Sequence, residues 1–234
     1  EDFVVDIPAK YRGKVVSILL PASTKKMMKL INCPGVVPAE IFWGKSLLSI
    51  TLFDFLESPV GPYAELVFAT PILYKPKIRI PLLPLIKDQI SKKYNLFVFD
   101  IVQSTEMAIK HGNILTGYPH DTNLINVTFE EDKKGINVKS YGDNKSIIDI
   151  QLDKPRKEKF INESYFTYFI KENSPYKIKM DIYAIGGNVK INKFSLGDHR
   201  LAGFIKNLGI SYKPFQVRYS RDVIEINPVT KEKL

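Results

Sequence analysis

The segment Thr105–Asp121, TEMAIKHGNILTGYPHD, reads as a capped helix closed by a tight turn. Thr105 offers a side-chain oxygen to the free N–H groups of a helix start, and Glu106 puts negative charge where the helix dipole is positive. Met107, Ile109, Ile114 and Leu115 supply apolar contacts, while Gly112 weakens the helix. Gly117 suits the left-handed position that ends a helix, and Pro119 keeps it from resuming. The turn then presents His120 and Asp121, and Leu124–Phe129 continues as strand.

Working outward, the apolar run over 95–101 is a buried strand that feeds this helix. Lys14–Leu20, Ser46–Phe55 and Leu66–Leu73 are further strands, and Ser23 or Thr24 caps a short helix reaching Leu30. Pro81–Pro84 punctuates an apolar stretch as a loop or sheet edge. Beyond Glu130 the rhythm shortens to strands at hairpin spacing: Gly135–Tyr141, Ser146–Leu152, Ser164–Ile170, Tyr176–Ala184 and Asn188–Leu196. Turn chemistry separates them at Gly142-Asp143-Asn144, Lys154-Pro155, Glu172-Asn173-Ser174-Pro175 and Gly186-Gly187. The pattern is an antiparallel meander without strand–helix–strand alternation. A last helix over 197–209, capped by Asp198 and stopped by Gly209, precedes a strand over Phe215–Ile226 and a frayed end at Thr230–Leu234.

The pattern Glu106-x-Ala-Ile-x-x-Gly-x-x-Leu-x-x-Tyr-Pro119 resembles the segment of acetoacetate decarboxylases that leads into their catalytic lysine. In that family Tyr-Pro is followed by two lysines, the first of which forms a Schiff base. This chain has His120 and Asp121 there instead. The run Gly61-Pro-Tyr63-Ala-Glu65 is similar to the family segment whose glutamate points into the pocket. The run Gly197-Asp-His-Arg200-Leu201 is similar to its closing helix. The resemblance implies a mainly β (α+β) domain over residues 1–234: a cone-like antiparallel β-barrel wrapped by further strands, with a few short helices, assembling as a homo-oligomer.

It also implies a site. His120 and Glu65 are the candidate catalytic residues, and Arg12, Tyr118 and Asp121 the candidate substrate-binding residues. The family's second-strand glutamate has no counterpart near Ser49 or Ile50. Family decarboxylation needs a neutral amine to make an iminium, and histidine cannot form one. The expected function is therefore a pocket for a small oxo-acid or related carboxylate without Schiff-base decarboxylation. An imidazole with an ordinary pKa of about 6.5, beside Glu65, still suits proton transfer next to a carbonyl. The alternatives are a non-catalytic ligand-binding or structural homologue and a basic nucleic-acid-binding β-protein.

Composition narrows these readings. The 234 residues are 44% hydrophobic and 25% charged, enough for a real core. No apolar run is long enough for a membrane-spanning helix. The net charge of +9 is spread over small groups such as Lys25-Lys26 and Lys133-Lys134 without a nucleic-acid motif, which favours a solvated surface over a nucleic-acid partner. One cysteine, Cys33, excludes an internal disulfide, and Glu1-Asp2-Phe3-Val4 carries no signal peptide pattern; both are consistent with a cytoplasmic protein. His111, His120 and His199 lack metal-ligand spacing, and neither a metal nor an organic cofactor is expected.

Overall fold

A computed structural model describes residues 7–172, 174–227 and 231–234. The expectations for Glu1–Val4, for Asn173 in its turn and for Thr230 fall outside the described residues.

The first strands are β1 (Ala9–Ser23), β2 (Val36–Pro38), β3 (Glu40–Phe42), β4 (Lys45–Glu57), β5 (Tyr63–Tyr74) and β6 (Lys93–Gln103), with helix α1 (Thr24–Met28) after β1 and α2 (Leu83–Ser91) after β5. Helix α3 (Glu106–Leu115) follows β6, and then come β7 (Asn126–Glu131), β8 (Ile136–Gly142) and β9 (Lys145–Leu152). The remainder is β10 (Lys159–Lys171), β11 (Ser174–Asn188), β12 (Ile191–Leu196), α4 (Arg200–Asn207), β13 (Gln216–Asn227) and β14 (Lys231–Lys233).

The hydrogen-bonded order β5-β6-β10-β11-β13-β1-β4 returns to β5 through the β4–β5 ladder, which closes a seven-strand barrel. The barrel is mixed, not antiparallel throughout, because β6 and β10 run parallel, with Ser164 opposite Lys93 and Tyr168 opposite Phe97. Parallel neighbours need a long crossover. Here α3 and the strands β7 to β9 supply it. Those strands are antiparallel among themselves, in a separate sheet ordered β12-β9-β8-β7, so local turn signals read as a meander and hid the parallel joint.

Strand alternation sends successive side chains to opposite faces. Val16, Ile18 and Leu20 of β1, with Ile50 and Leu52 of β4 and Leu66 of β5, point outward and are fully buried against Val138, Ile148 and Ile150 of the second sheet. The main apolar core therefore lies between the barrel wall and that sheet. Residues of opposite parity, such as Ser17, Ser49, Thr51 and Glu65, face the barrel interior.

Four local expectations are corrected. Gly186-Gly187 lies inside β11 and makes no hairpin; a register shift falls between Ile185 and Gly186, and a Cβ at Gly186 would stand 2.3 Å from the Tyr219 carbonyl oxygen. Leu83-Pro84 opens α2 instead of a loop, since proline in a first turn lacks only an N–H that has no helical partner. His199 caps α4 in place of Asp198, its Nδ1 accepting from Leu201 N–H at 3.2 Å. Lys231–Lys233 pairs with β11 as β14. The hairpin at Asp143-Asn144 does form, both residues having positive φ (50° and 58°).

Candidate active site

Helix α3 begins as its sequence suggests, with the Thr105 side chain accepting from Ala108 N–H at 3.1 Å. It ends at Gly117, whose φ is +72° and whose N–H reaches the Gly112 carbonyl at 3.1 Å. The chain then docks on β6. Ile101 N–H donates to the Pro119 carbonyl and Asp121 N–H to the Ile101 carbonyl, each at 2.9 Å. This single parallel bridge gives His120 and Asp121 strand-like alternation: one side chain turns into the barrel and the other out.

Inside the barrel is a cavity of about 160 Å³ whose wall includes His120, Glu65, Gln103, Tyr118 and Glu225. Neither ring nitrogen of His120 has a hydrogen-bond partner among the described residues. Burial lowers its pKa to about 4, so the ring is neutral at pH 7. Glu65 accepts from Gln103 Nε2 at 2.7 Å and from the Tyr63 hydroxyl at 3.4 Å. Burial nevertheless pushes its carboxyl up to about 7, because these two bonds offset only part of the lost hydration. The Gln103 amide oxygen is buried and has no partner among the described residues.

Glu225 sits on β13 with its carboxyl in the same cavity. Burial, then the charge of Glu65, raises it to about 8. The two buried carboxyls therefore titrate as a coupled pair, both above the usual carboxylate range. Across the cavity, Arg218 grips Glu163 with both terminal nitrogens, at 3.0 and 3.1 Å. The hydroxyls of Tyr94 and Tyr165 lie 3.2 and 2.9 Å from the same carboxylate. One guanidinium and two hydroxyls thus surround one buried acid. No lysine lines the cavity among the described residues, and no group of three potential metal ligands occurs among them.

Of the residues singled out in the sequence, His120, Glu65 and Tyr118 meet at the cavity. Tyr118 is buried with its hydroxyl bonded to Thr167. The other two lie elsewhere. Arg12 is on the surface, its side chain 52% exposed and paired with Asp222 at 2.9 Å. It does not line the cavity, and its position gives no support to a carboxylate-reading role. Asp121 bonds Arg200 and Asn123 on the outer side. Burial works to raise its pKa, but those hydrogen bonds outweigh it and lower it.

Glu225, Glu163 and Arg218 escaped the sequence reading. Glu163 lies just before the expected strand start at Ser164, and alternation fails to find Arg218 and Glu225 together because β13 slips register between Ser220 and Val223. Arg218 and Ser220 face inward at even positions, whereas Val223, Glu225 and Asn227 do so at odd ones.

No profile of a known protein family matches the chain, and no curated protein matches it in sequence. Solved structures do match it. An acetoacetate decarboxylase from Legionella pneumophila subsp. pneumophila str. Philadelphia 1 superposes with a TM-score of 0.69 at 14% identity, over 100% of this chain and 91% of that one. An acetoacetate decarboxylase-like enzyme from Sphingomonas wittichii RW1 gives 0.56 at 13% identity, over 98% and 94%. The enduracididine biosynthesis enzyme MppR, solved in complex with pyruvate, gives 0.59 at 8% identity, over 100% and 92%. The chain has the acetoacetate decarboxylase-like fold.

Proposed function

We propose that the barrel cavity binds a small oxo-acid or related carboxylic acid without forming a Schiff base, so that amine-dependent decarboxylation is lost. The observation that carries this reading is the makeup of the wall: His120 and Glu65 face the cavity, and no lysine does among the described residues. The likeness to MppR, a protein solved with pyruvate, supports the ligand class. Within the cavity Glu65 is the proton-exchanging group, its pKa of about 7 letting it give or take a proton near neutrality. Neutral His120 and the Gln103 carbonyl are the polar partners for ligand oxygens and hydroxyls. The chemistry this set supports is proton transfer at the carbon beside the ligand's carbonyl, with Glu65 as base and its conjugate acid returning the proton.

Binding without turnover is the second reading. It is favoured by the absence of any amine or thiol on the cavity wall among the described residues. Both readings treat residues 1–234 as one domain, supported by the core that the barrel and the second sheet share. They also take it as a cytoplasmic homo-oligomer, a compartment consistent with the free, buried Cys33.

Borohydride reduction in the presence of pyruvate or acetoacetate tests the first claim. We expect binding by calorimetry and no covalent adduct by mass spectrometry; an adduct on any lysine would sink it. Exchange of pyruvate methyl protons in D2O, followed by NMR, separates the two readings. Exchange abolished in Glu65→Gln supports proton transfer, and binding without exchange supports the binding-only role.

A further inference from the structure

The barrel has a second chamber that the site above does not use. It lies beneath α2, measures about 460 Å³, and meets the first cavity at Ser17, Ser49, Leu96, Tyr165 and Arg218, which line both. No side chain of helix α2 is fully buried: Pro84, Leu85 and Asp88 are half-buried, and Ile86 and Ile90 are exposed. The helix is bounded by Leu82 and Lys92, two non-glycine residues with positive φ (67° and 56°). Leu85, Ile86 and Ile90 of this helix face the chamber, opposite Leu19, Leu47 and Phe215.

Arg218 stands where the chamber meets the inner cavity. Arg218 uses its two terminal nitrogens on Glu163. A guanidinium has five N–H donors in a planar fork, and Nε of Arg218 makes no hydrogen bond among the described residues. The acid on the chamber side, Asp88, accepts from Asn95 N–H at 3.4 Å. The Tyr94 hydroxyl lies 3.1 Å from Gln89 on α2 and 3.2 Å from Glu163. Its single proton serves one acceptor at a time, so the helix and the buried ion pair share one hydrogen-bond donor.

We propose that this chamber is a second binding site, for a carboxylic acid with an aliphatic chain. The carboxylate takes the free edge of the Arg218 guanidinium, and the chain lies under α2 against Leu85, Ile86 and Ile90. The guanidinium edge is planar and matches a carboxylate in geometry. Leu19, Leu47, Leu85, Ile86, Ile90 and Phe215 supply the apolar contacts for the chain, while Asp88, Gln89, Asn95, Asn188 and Gln216 line the rest of the chamber. Helix α2, with no fully buried side chain, is the element placed to shift as the chain enters. This site does not depend on the reading of the inner cavity.

Calorimetry with octanoate, using 1-octanol and pyruvate as controls, tests the proposal. We expect octanoate to bind at least tenfold more tightly than octanol. Leu85→Trp, which fills the chamber, should weaken octanoate at least tenfold and leave pyruvate binding unchanged, with the fold verified by circular dichroism. The charge-balanced pair Arg218→Gln with Glu163→Gln should abolish the preference for octanoate over octanol. The proposal is overturned if wild type does not bind octanoate, if octanol binds equally well, or if Leu85→Trp leaves octanoate affinity intact. Failure of pyruvate to bind would count against the inner cavity alone.

Discussion

His120 rests on Gly112. A Cβ placed at residue 112 would stand 2.5 Å from Cε1 and 2.6 Å from Nε2 of the imidazole. The glycine that weakens α3 by about 1 kcal/mol relative to alanine is therefore what lets Cε1 and Nε2 of the ring come close against the helix, at the cavity wall.

Gly112→Ala sets these two effects against each other. The helix gains propensity, but the ring must move, since both close atoms belong to the imidazole. We expect little net change in stability and a displaced His120. Histidine NMR titrations should find its pKa raised from about 4 toward the ordinary 6.5 as it becomes hydrated. An unchanged titration in the variant would mean the ring does not depend on this contact.

Acidity near neutrality should control stability through Glu65 and Glu225. Their folded pKa values, about 7 and about 8, lie above the ordinary 4.5, so the folded state holds more protons than the unfolded chain. Stability from these groups is complete below pH 4.5 and is lost as pH rises through 7 and 8. His120, depressed from 6.5 to about 4, acts oppositely and costs stability as pH falls through that range. The decline is thus partly offset below pH 6.5 and fully visible from 6.5 to 8. Glu225→Gln should flatten it, raising Tm by about 5 °C at pH 8 and far less at pH 5. Parallel Tm profiles for variant and wild type would show that Glu225 does not titrate as argued.

Restoring an amine should restore covalent chemistry. His120→Lys places a primary amine where burial already disfavours a cation, so a useful fraction is neutral and nucleophilic. Reduction with borohydride in the presence of pyruvate should attach the ligand at residue 120. A folded variant that stays unmodified while still binding pyruvate would place the ligand's carbonyl out of reach of this position.

Removing the cation from Glu163 leaves a carboxylate with a side chain only 3% exposed. Arg218→Met should therefore cost about 3–5 kcal/mol, measured as a lower urea midpoint. Adding Glu163→Gln to it should recover a large part. If the double variant is no more stable than the single one, packing of the arginine stem, not charge, is the main contribution.

Local chemistry made much of this legible in the chain. Thr105, Gly117 and Pro119 bound α3 because capping and left-handed turns depend on the residue in place and its immediate neighbours. Period-two patterning located the long strands for the same reason, and the spacing from Glu106 to Pro119 pointed to His120. Partners distant in sequence were not legible. Arg12 carries the charge suited to a carboxylate, yet its strand turns it to Asp222 on the surface. Glu225 and Arg218 became cavity residues through a slip in strand register, which depends on what β1 and β11 present to β13. The parallel joint of β6 with β10 likewise depends on the long crossover through α3 and β7 to β9. Caps, turns and alternation are short-range preferences written into neighbouring residues. The inside of a closed barrel is a long-range property, assembled where seven strands meet.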